Sequence, residues 1–151
     1  MKLLPLFLIL PVFGAGLSDF VVWKASDLKG YEKTLHAKLG PDKTANQQLP
    51  DYEGHSVFVV HREATALAEG HPSIAHIIYV ISGEADLVVG GKMVGEKIIA
   101  PEQIRGTSVD GGESKRVAAG DVIHIAAKAP HWFKVTPGQQ ITYLMVNLES
   151  K

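Results

Sequence analysis

Residues 69–83 read EGHPSIAHIIYVISG, and this stretch decides the fold predicted for the chain. Its second half, Ile74 to Ile81, is apolar and rich in β-branched residues, which is typical of a buried strand. Ser82-Gly83 predicts a turn at the end of that strand. One carboxylate and two imidazoles lie just ahead of the strand or inside it, so the sequence places its candidate chemistry at the start of the strand.

From His55 onward, short runs with a period of two alternate with turn residues. The runs predict strands at 56–62, 74–81, 85–89, 92–94, 115–118, 122–126, 131–136 and 141–148. Gly90-Gly91 and Pro137-Gly138 predict hairpin turns, and residues 98–113 form a longer excursion that contains several glycines. Many short strands with closely spaced turns predict an all-β fold, an antiparallel sandwich or barrel.

The region before these strands predicts one short helix. Apolar residues recur at spacings of three, four and four, which indicates one helical face from about Asp27 to Leu39. Ser26 is a candidate N-cap, and Gly40-Pro41 ends the helix. Residues 20–23 form a short β-like run at the surface or at a sheet edge, and the polar segment 40–51 is interpreted as a linker or loop.

The first residues have the pattern of a secretory signal. Lys2 precedes an apolar run from Leu3 to Val12, and small residues follow at positions 14–16. About ten apolar residues are too few for a membrane-spanning helix. We therefore expect cleavage after Gly16, export to the periplasm or the exterior, and no stable membrane span afterwards. A frayed apolar N-terminal strand is the alternative interpretation.

The predicted organisation is a signal peptide at 1–16, an N-terminal arm with a short helix at 17–55 and a single barrel domain at 56–151. A net charge of −1 gives no electrostatic signal for nucleic acid. The absence of cysteine excludes disulfides, thiolate zinc sites and a cysteine nucleophile. No glycine-rich phosphate loop lies between a strand and a helix, so a nucleotide site is not predicted.

Four residues around the decisive stretch predict a metal site. Glu69 and His71 are two apart, so on a strand both project from one face. His76 begins the next strand on the face that also carries Ile78, and Pro130 fixes the backbone before His131. One carboxylate and three imidazoles around a hollow suit Fe, Mn, Ni, Cu or Zn.

The remaining histidines are ranked lower. His36, His55 and His61 are interpreted as surface residues or as hydrogen-bonded core residues. His124 lies within a predicted strand and either faces the barrel as an acid–base group or caps the core. Arg105, in the glycine-bearing excursion, is interpreted first as a solvated loop residue and second as a group that binds an anionic ligand.

Residues 79–85 (YVISGEA) and 120–131 (GDVIHIAAKAPH) resemble the two motif blocks of the cupin superfamily. The resemblance covers roughly residues 56–148 and implies a small β-barrel or jelly roll with a metal near one mouth. In the family, the first motif supplies two histidines and then a glutamate, and these positions fall on Glu69, His71 and His76. The histidine of the second motif falls on His131. The implied ligand set is thus permuted, and Lys128 stands where glycine is usual.

The resemblance also implies a function. A metal with open positions in a cupin implies dioxygenation, isomerisation, decarboxylation or lysis of a small oxygenated molecule, with His124 as the candidate catalytic acid–base residue. A homodimer is expected at the level of the family. Two alternatives stay open: a module that binds a sugar or small acid without turnover, and a barrel in which the metal is only structural.

Overall fold

The computed structural model describes residues 20–149, and the predicted signal at 1–16 lies outside these residues. Helix α1 spans Ala25–His36. The strands are β1 (Thr44–Tyr52), β2 (His55–Arg62), β3 (Ala68–Gly70), β4 (Ile74–Val89), β5 (Lys92–Val94), β6 (Lys97–Ala100), β7 (Gln103–Gly106), β8 (Ser108–Asp110), β9 (Glu113–Ala118), β10 (Val122–Ile125), β11 (His131–Lys134) and β12 (Ile141–Glu149). Between residues 20 and 149 no helix is long and apolar enough to cross a membrane.

Ten of these strands form one curled antiparallel sheet around the core. Its order is β1-β2-β12-β4-β11-β3-β7-β6, and β9 and β10 also pair with β4. Strands β5 and β8 form a separate pair. The predicted all-β antiparallel fold with one short N-terminal helix is confirmed.

Strand β4 is 16 residues long and belongs to both halves of the barrel. Its first half pairs with β12 and β10, and its second half pairs with β11 and β9. The register against β12 shifts at Ile81, so this residue forms a β-bulge. Inward-facing residues are therefore even-numbered before the bulge, as at Ile78 and Val80, and odd-numbered after it, as at Ala85 and Leu87.

Two apolar clusters hold the fold together. The larger one fills the barrel and includes Val80, Leu87, Phe133 and Tyr143, with the last two rings stacked 4.9 Å apart. The smaller one lies outside, where α1 buries Leu28 and Leu35 against the outer face of the sheet. Helix α1 follows the predicted apolar spacing, although Lys24 rather than Ser26 occupies the N-cap position.

Three sequence interpretations are corrected by the sheet. The polar segment 40–51 is not a loop, because most of it forms β1, an edge strand whose exposed side suits polar residues. Ser82-Gly83 does not end a strand, because β4 continues through it. The β-like run 20–23 forms no strand. The division into arm and barrel stays a prediction, although β1 of the arm belongs to the same sheet.

Two predicted turns join strands that do not pair with each other. Gly90-Gly91 links β4 to β5, but β5 pairs with β8 and β4 pairs with β9. Pro137-Gly138 lies between β11 and β12, which do not pair with each other but with opposite halves of β4. Both segments thus turn the chain without making hairpins: Gly90-Gly91 leads into the separate pair of β5 and β8, and Pro137-Gly138 leads from one half of the barrel to the other.

Replacement of Gly83 by alanine should destabilise the fold more than the same change at Gly138. Both glycines have left-handed backbone angles, φ +73° and +83°. A Cβ at Gly83 would lie 1.9 Å from the Gln140 carbonyl oxygen, whereas nothing lies within 4 Å at Gly138. We expect Gly138→Ala to cost about 1–2 kcal/mol and Gly83→Ala to cost roughly 1–3 kcal/mol more. Urea unfolding of both variants measures the difference, and equal costs would contradict a close approach of the Gln140 backbone to Gly83.

Candidate metal centre

The cross-strand register brings predicted site residues into one row. His131 on β11 lies opposite Glu69 on β3, and Glu69 also lies opposite Arg105 on β7. Residues that pair across antiparallel strands project from the same face of the sheet. The three side chains therefore share one face, although they are far apart in sequence.

His76 and His71 reach the same place from other elements. His76 lies near the start of β4, opposite Asn147 of β12, on the face that carries the barrel core. His71 follows β3, and its carbonyl accepts a 2.8 Å hydrogen bond from the Lys128 N–H. Lys128 has a φ of 68°, so it adopts the left-handed conformation that the glycine usual at this position favours.

The three imidazoles of His71, His76 and His131 form a compact buried group. Their ring centroids are 4.9, 5.5 and 5.0 Å apart. One nitrogen of each ring lies within 4.8 Å of a nitrogen of each of the others. The residues are 6%, 2% and 4% exposed, so water does not compete freely for these nitrogens.

Each ring is fixed through its Nδ1 atom. Nδ1 of His71 donates to the Glu102 carbonyl at 2.7 Å, and Nδ1 of His131 donates to the Ala129 carbonyl at 3.1 Å. Nδ1 of His76 donates to Oδ1 of Asn147 at 2.8 Å. A hydrogen on Nδ1 leaves Nε2 of a neutral imidazole with a free lone pair. Such support of the remote nitrogen is typical of histidines that bind metal.

The three histidines fit a metal because one of their buried nitrogens, Nε2 of His76, lacks a hydrogen-bond partner among the described residues. Nε2 of His76 is fully buried and makes no hydrogen bond with any described residue. Burial, and then the charges of His131 and His71, lower the pKa of His76 to about 4, so the ring is neutral at pH 7. Burial also lowers the pKa of His131. A buried lone pair that faces two further imidazoles is a suitable ligand for a transition metal.

Glu69 lies beside the imidazoles but is paired with an arginine. Its Oε1 accepts a 2.6 Å hydrogen bond from Arg62, whose Nε donates to the Tyr143 hydroxyl at 3.0 Å. Burial opposes the charge of Glu69, but Arg62, His71 and Arg105 together hold the pKa of this carboxyl well below its usual range. Its Oε2 lies 3.8 Å from Nε2 of His71. The role of Glu69 as a ligand stays a prediction.

A cavity of about 420 Å³ opens beside the imidazoles. This volume lies within the range of small-molecule sites. Its lining combines apolar, polar and charged side chains. The lining residues include Phe58, Val60, Leu67, Met145, Asn46, Asn147, Gln103, Arg62 and Arg105. Arg105 donates to Oε1 of Gln103 at 2.6 Å, and its Nη2 lies 3.7 Å from Glu69, so it is an ordered wall residue and not a solvated loop residue.

The fold does not bring His124 to the buried group of three imidazoles. It lies opposite Ile77 on β4, whereas the next residue of β10, Ile125, lies opposite His76. Neighbouring residues of a strand project from opposite faces, so His124 faces away from His76 and is exposed. Of the two expected orientations, the one in which His124 faces the barrel is therefore wrong; the catalytic role of His124 stays a prediction, without support from this geometry.

Sequence reasoning missed the residues that hold the site in place. Arg62 ends an apolar strand and Asn147 lies near the end of another, and each becomes significant only through the register of β12. An arginine directly after four apolar or imidazole residues is a signal for a buried charge. Glu102 supports His71 through its backbone carbonyl, so the identity of its side chain could not have indicated this role.

Comparison with known proteins shows the fold. The sequence matches no family model and no curated protein. A cupin-2 domain, Rru_A2000 from Rhodospirillum rubrum, aligns with a TM-score of 0.52 and 15% identity over 72% of this chain and 63% of the other. DMSP lyase DddQ from Ruegeria pomeroyi DSS-3 aligns with a TM-score of 0.51 and 17% identity over 74% and 51%. The FeII form of HppE aligns with a TM-score of 0.53 and 15% identity over 70% and 51%.

These likenesses show that the chain has the cupin fold, as the motif blocks predicted. This chain spans 51–63% of the length of the three proteins, and the identities are low. A shared fold at this distance does not carry an activity with it.

Loss of the buried ion pair of Arg62 and Glu69 should lower the free energy of unfolding more than loss of an exposed ion pair. Glu69→Gln removes the charge that compensates Arg62, which is 7% exposed, and should lower the free energy of unfolding by about 1.5–3 kcal/mol. Glu113→Gln disrupts the exposed pair with Lys115 and should cost less than about 1 kcal/mol. Chemical unfolding of the metal-free protein measures both. Equal losses would show that Glu69 does not stabilise Arg62.

Proposed function

We propose that this chain, which has the cupin fold, is an enzyme that holds one divalent transition metal on His71, His76 and His131. In this proposal the metal and the adjoining cavity act on a small, oxygenated, anionic organic molecule. The observation that carries the proposal is the buried Nε2 of His76, which has no hydrogen-bond partner among residues 20–149 although the opposite side of its ring is fixed by Asn147.

The donor set limits the metal. Imidazole nitrogens suit Fe, Mn, Ni, Cu and Zn rather than Ca or Mg. A bound metal of this kind supplies Lewis acidity and can lower the pKa of a water molecule. Glu69 remains the candidate fourth ligand through Oε2, since Oε1 is engaged by Arg62.

The cavity wall supports an anionic substrate. Arg62 and Arg105 both line the cavity, but Glu69 is hydrogen-bonded to Arg62 and lies farther from Arg105. The half-buried guanidinium of Arg105 uses two of its five N–H groups on the Ile104 carbonyl and on Gln103, so it keeps donors that can bind a carboxylate or a similar anion. Phe58, Leu67 and Met145 give the rest of the molecule an apolar surface.

The roles of the other residues follow from their contacts. Asn147 orients His76, and the Glu102 carbonyl orients His71. Glu69 has a depressed pKa and an arginine partner, so it keeps its negative charge and is a poor proton carrier at neutral pH. In this proposal Arg105 orients the substrate at the mouth, and the apolar wall excludes water from its other end.

The reaction class is proposed as dioxygenation, isomerisation or lysis. Among the structural neighbours, one is named a lyase and one is an iron(II) protein, which supports this range. The alternative is a module that binds a sugar or organic acid in the same cavity without turnover. Export and a homodimer also stay predictions.

The direct test is metal content and turnover in variants that keep the hydrogen bond on Nδ1. His76→Asn and His131→Asn remove Nε2 but retain a donor near the position of Nδ1. We expect each to weaken metal binding more than about 100-fold, because a ligand is lost and not only its support. The control is His55→Ala, which alters an imidazole stacked on Tyr52, outside the cavity lining. Metal analysis and calorimetric titration measure the effect.

Turnover separates the two functions. The metal-loaded protein is incubated with panels of small carboxylates, diketones and sugar acids, and oxygen uptake and product formation are followed. Metal-dependent product formation that Arg105→Met weakens through a higher KM supports the enzyme. Binding of the same compounds without product favours the binding module. A protein that binds none of the five metals at any loading excludes the metal-dependent enzyme and favours a binding module that works without metal.

Asn147 should affect metal affinity because it orients the proposed ligand His76. Asn147→Ala removes the acceptor for Nδ1 of His76, so the ring is free to turn and to change its tautomer. We expect metal affinity to fall about 10–100-fold, as for other groups that support a ligand. Asn46→Ala, which alters another asparagine of the same cavity, serves as the control. An unchanged affinity in Asn147→Ala would contradict the assigned role.

A further inference from the structure

A second group of potential ligands lies outside the barrel, where the end of α1 meets β2. His36 is the last residue of α1, His61 lies in β2, and Glu63 follows that strand. One ligand atom from each lies within 4.8 Å of the others. His61 is 1% exposed, whereas the side chain of His36 is 65% exposed, so the group is anchored on one side and open to solvent on the other.

A chain of hydrogen bonds fixes the proton on His61. The chain begins at the Glu32 carboxylate, which can only accept, so the Ser82 hydroxyl donates its proton to it at 2.6 Å. Ser82 then accepts from the amide nitrogen of Gln140 at 3.3 Å. The amide oxygen of Gln140 consequently faces Thr142, whose hydroxyl donates to it at 3.1 Å.

The last step of that chain concerns His61. Since the single hydroxyl proton of Thr142 goes to Gln140, Thr142 must accept from Nδ1 of His61, which lies 2.7 Å away. The hydrogen of a neutral His61 is therefore on Nδ1, and Nε2 carries a lone pair. This lone pair faces Oε1 of Glu63 at 3.0 Å.

Two acceptors that face each other at this distance need a positive charge between them. Oε1 of Glu63 belongs to a carboxylate and can only accept a hydrogen bond. The same Oε1 atom also meets Nδ1 of His36. Either a proton makes a buried imidazolium of His61, or a cation binds the three ligand atoms together.

We propose that His36, His61 and Glu63 form a second site for a divalent transition metal, distinct from the buried imidazole group. Two imidazoles and one carboxylate are a donor set that Zn²⁺, Co²⁺, Ni²⁺ and Cu²⁺ accept. The hydrogen bond from Nδ1 of His61 to Thr142 is the support that metal-binding histidines characteristically have. A metal here joins α1 to the barrel.

The site is accessible from solvent through His36. His36, His61 and Glu63 line a surface depression of about 440 Å³, together with Lys29, Lys33 and Glu32. The two lysines are exposed, and the charge of Glu63 together with that of Glu32 offsets theirs. Three protein ligands leave a further position for water.

The test is the Zn²⁺ stoichiometry of the metal-free protein and its variants. His36→Ala removes the exposed ligand and Glu63→Gln removes the anionic ligand without a large change in volume. We expect each variant to bind about one equivalent fewer than wild type. His55→Ala is the control and should match wild type. Because the comparison is a difference between variants, it holds whether or not the buried imidazole group binds metal.

Two further measurements locate the ion. Thr142→Val removes the acceptor for Nδ1 of His61 and should weaken binding at this site about 10–100-fold, whereas Thr142→Ser should retain it. Zn²⁺ should also raise the melting temperature of wild type more than that of His36→Ala, because only wild type joins α1 to β2 through the ion. Equal stoichiometry and affinity in wild type, His36→Ala and Glu63→Gln overturn the proposal and assign the group to an imidazolium–carboxylate pair.

Discussion

The bulge at Ile81 lets β4 remain one strand while its inward-facing positions change from even to odd numbers. Every described strand that carries a residue of the buried site pairs with β4 or is linked to it through paired strands. The first half of β4 sets His76 beside Asn147 on β12, and the second half holds β11, which carries His131. A strand that ended at Ser82 would leave these two halves without a common frame. The site thus depends on a backbone irregularity some distance from its own side chains.

The buried site has to keep imidazoles neutral beside charged groups. Burial lowers the pKa of His76 and of His131, which preserves their lone pairs. The charge of Glu69 acts in the opposite direction on both rings. Arg62 reduces this effect, because it pairs with Glu69 and offsets its charge within the same pocket. The ion pair therefore adds little net charge, and the rings remain available as ligands at neutral pH.

Much of the fold could be predicted because short apolar runs and glycine turns are local signals. The start of β4, the helix and the final strands follow directly from such runs. The bulge could not be predicted, since a change of phase and a turn look alike when Ser82-Gly83 follows an apolar run. Strand β1 was missed because an edge strand needs few apolar residues.

Prediction of the buried site was limited in a similar way, because the sequence does not say which residues lie opposite each other on paired strands. His71, His76 and His131 could be grouped because the motif blocks align them. The partners that fix the rings could not be found, since Asn147 is related to His76 only through the pairing of β12 with β4. The orientation of His124 could not be predicted for a similar reason. Both faces of β10 carry apolar residues, so the sequence pattern does not say which face is buried.

Strand β2 connects the two histidine groups through adjacent residues. His61 projects outward and Arg62 projects inward, because side chains alternate along a strand. Their supports on β12 are adjacent as well, since Thr142 accepts from His61 and Tyr143 accepts from Arg62. A slip of one residue between β2 and β12 would exchange the faces and place an arginine outside and an imidazole within. The register of this one strand pair therefore determines both the outer group and the charge balance of the buried site.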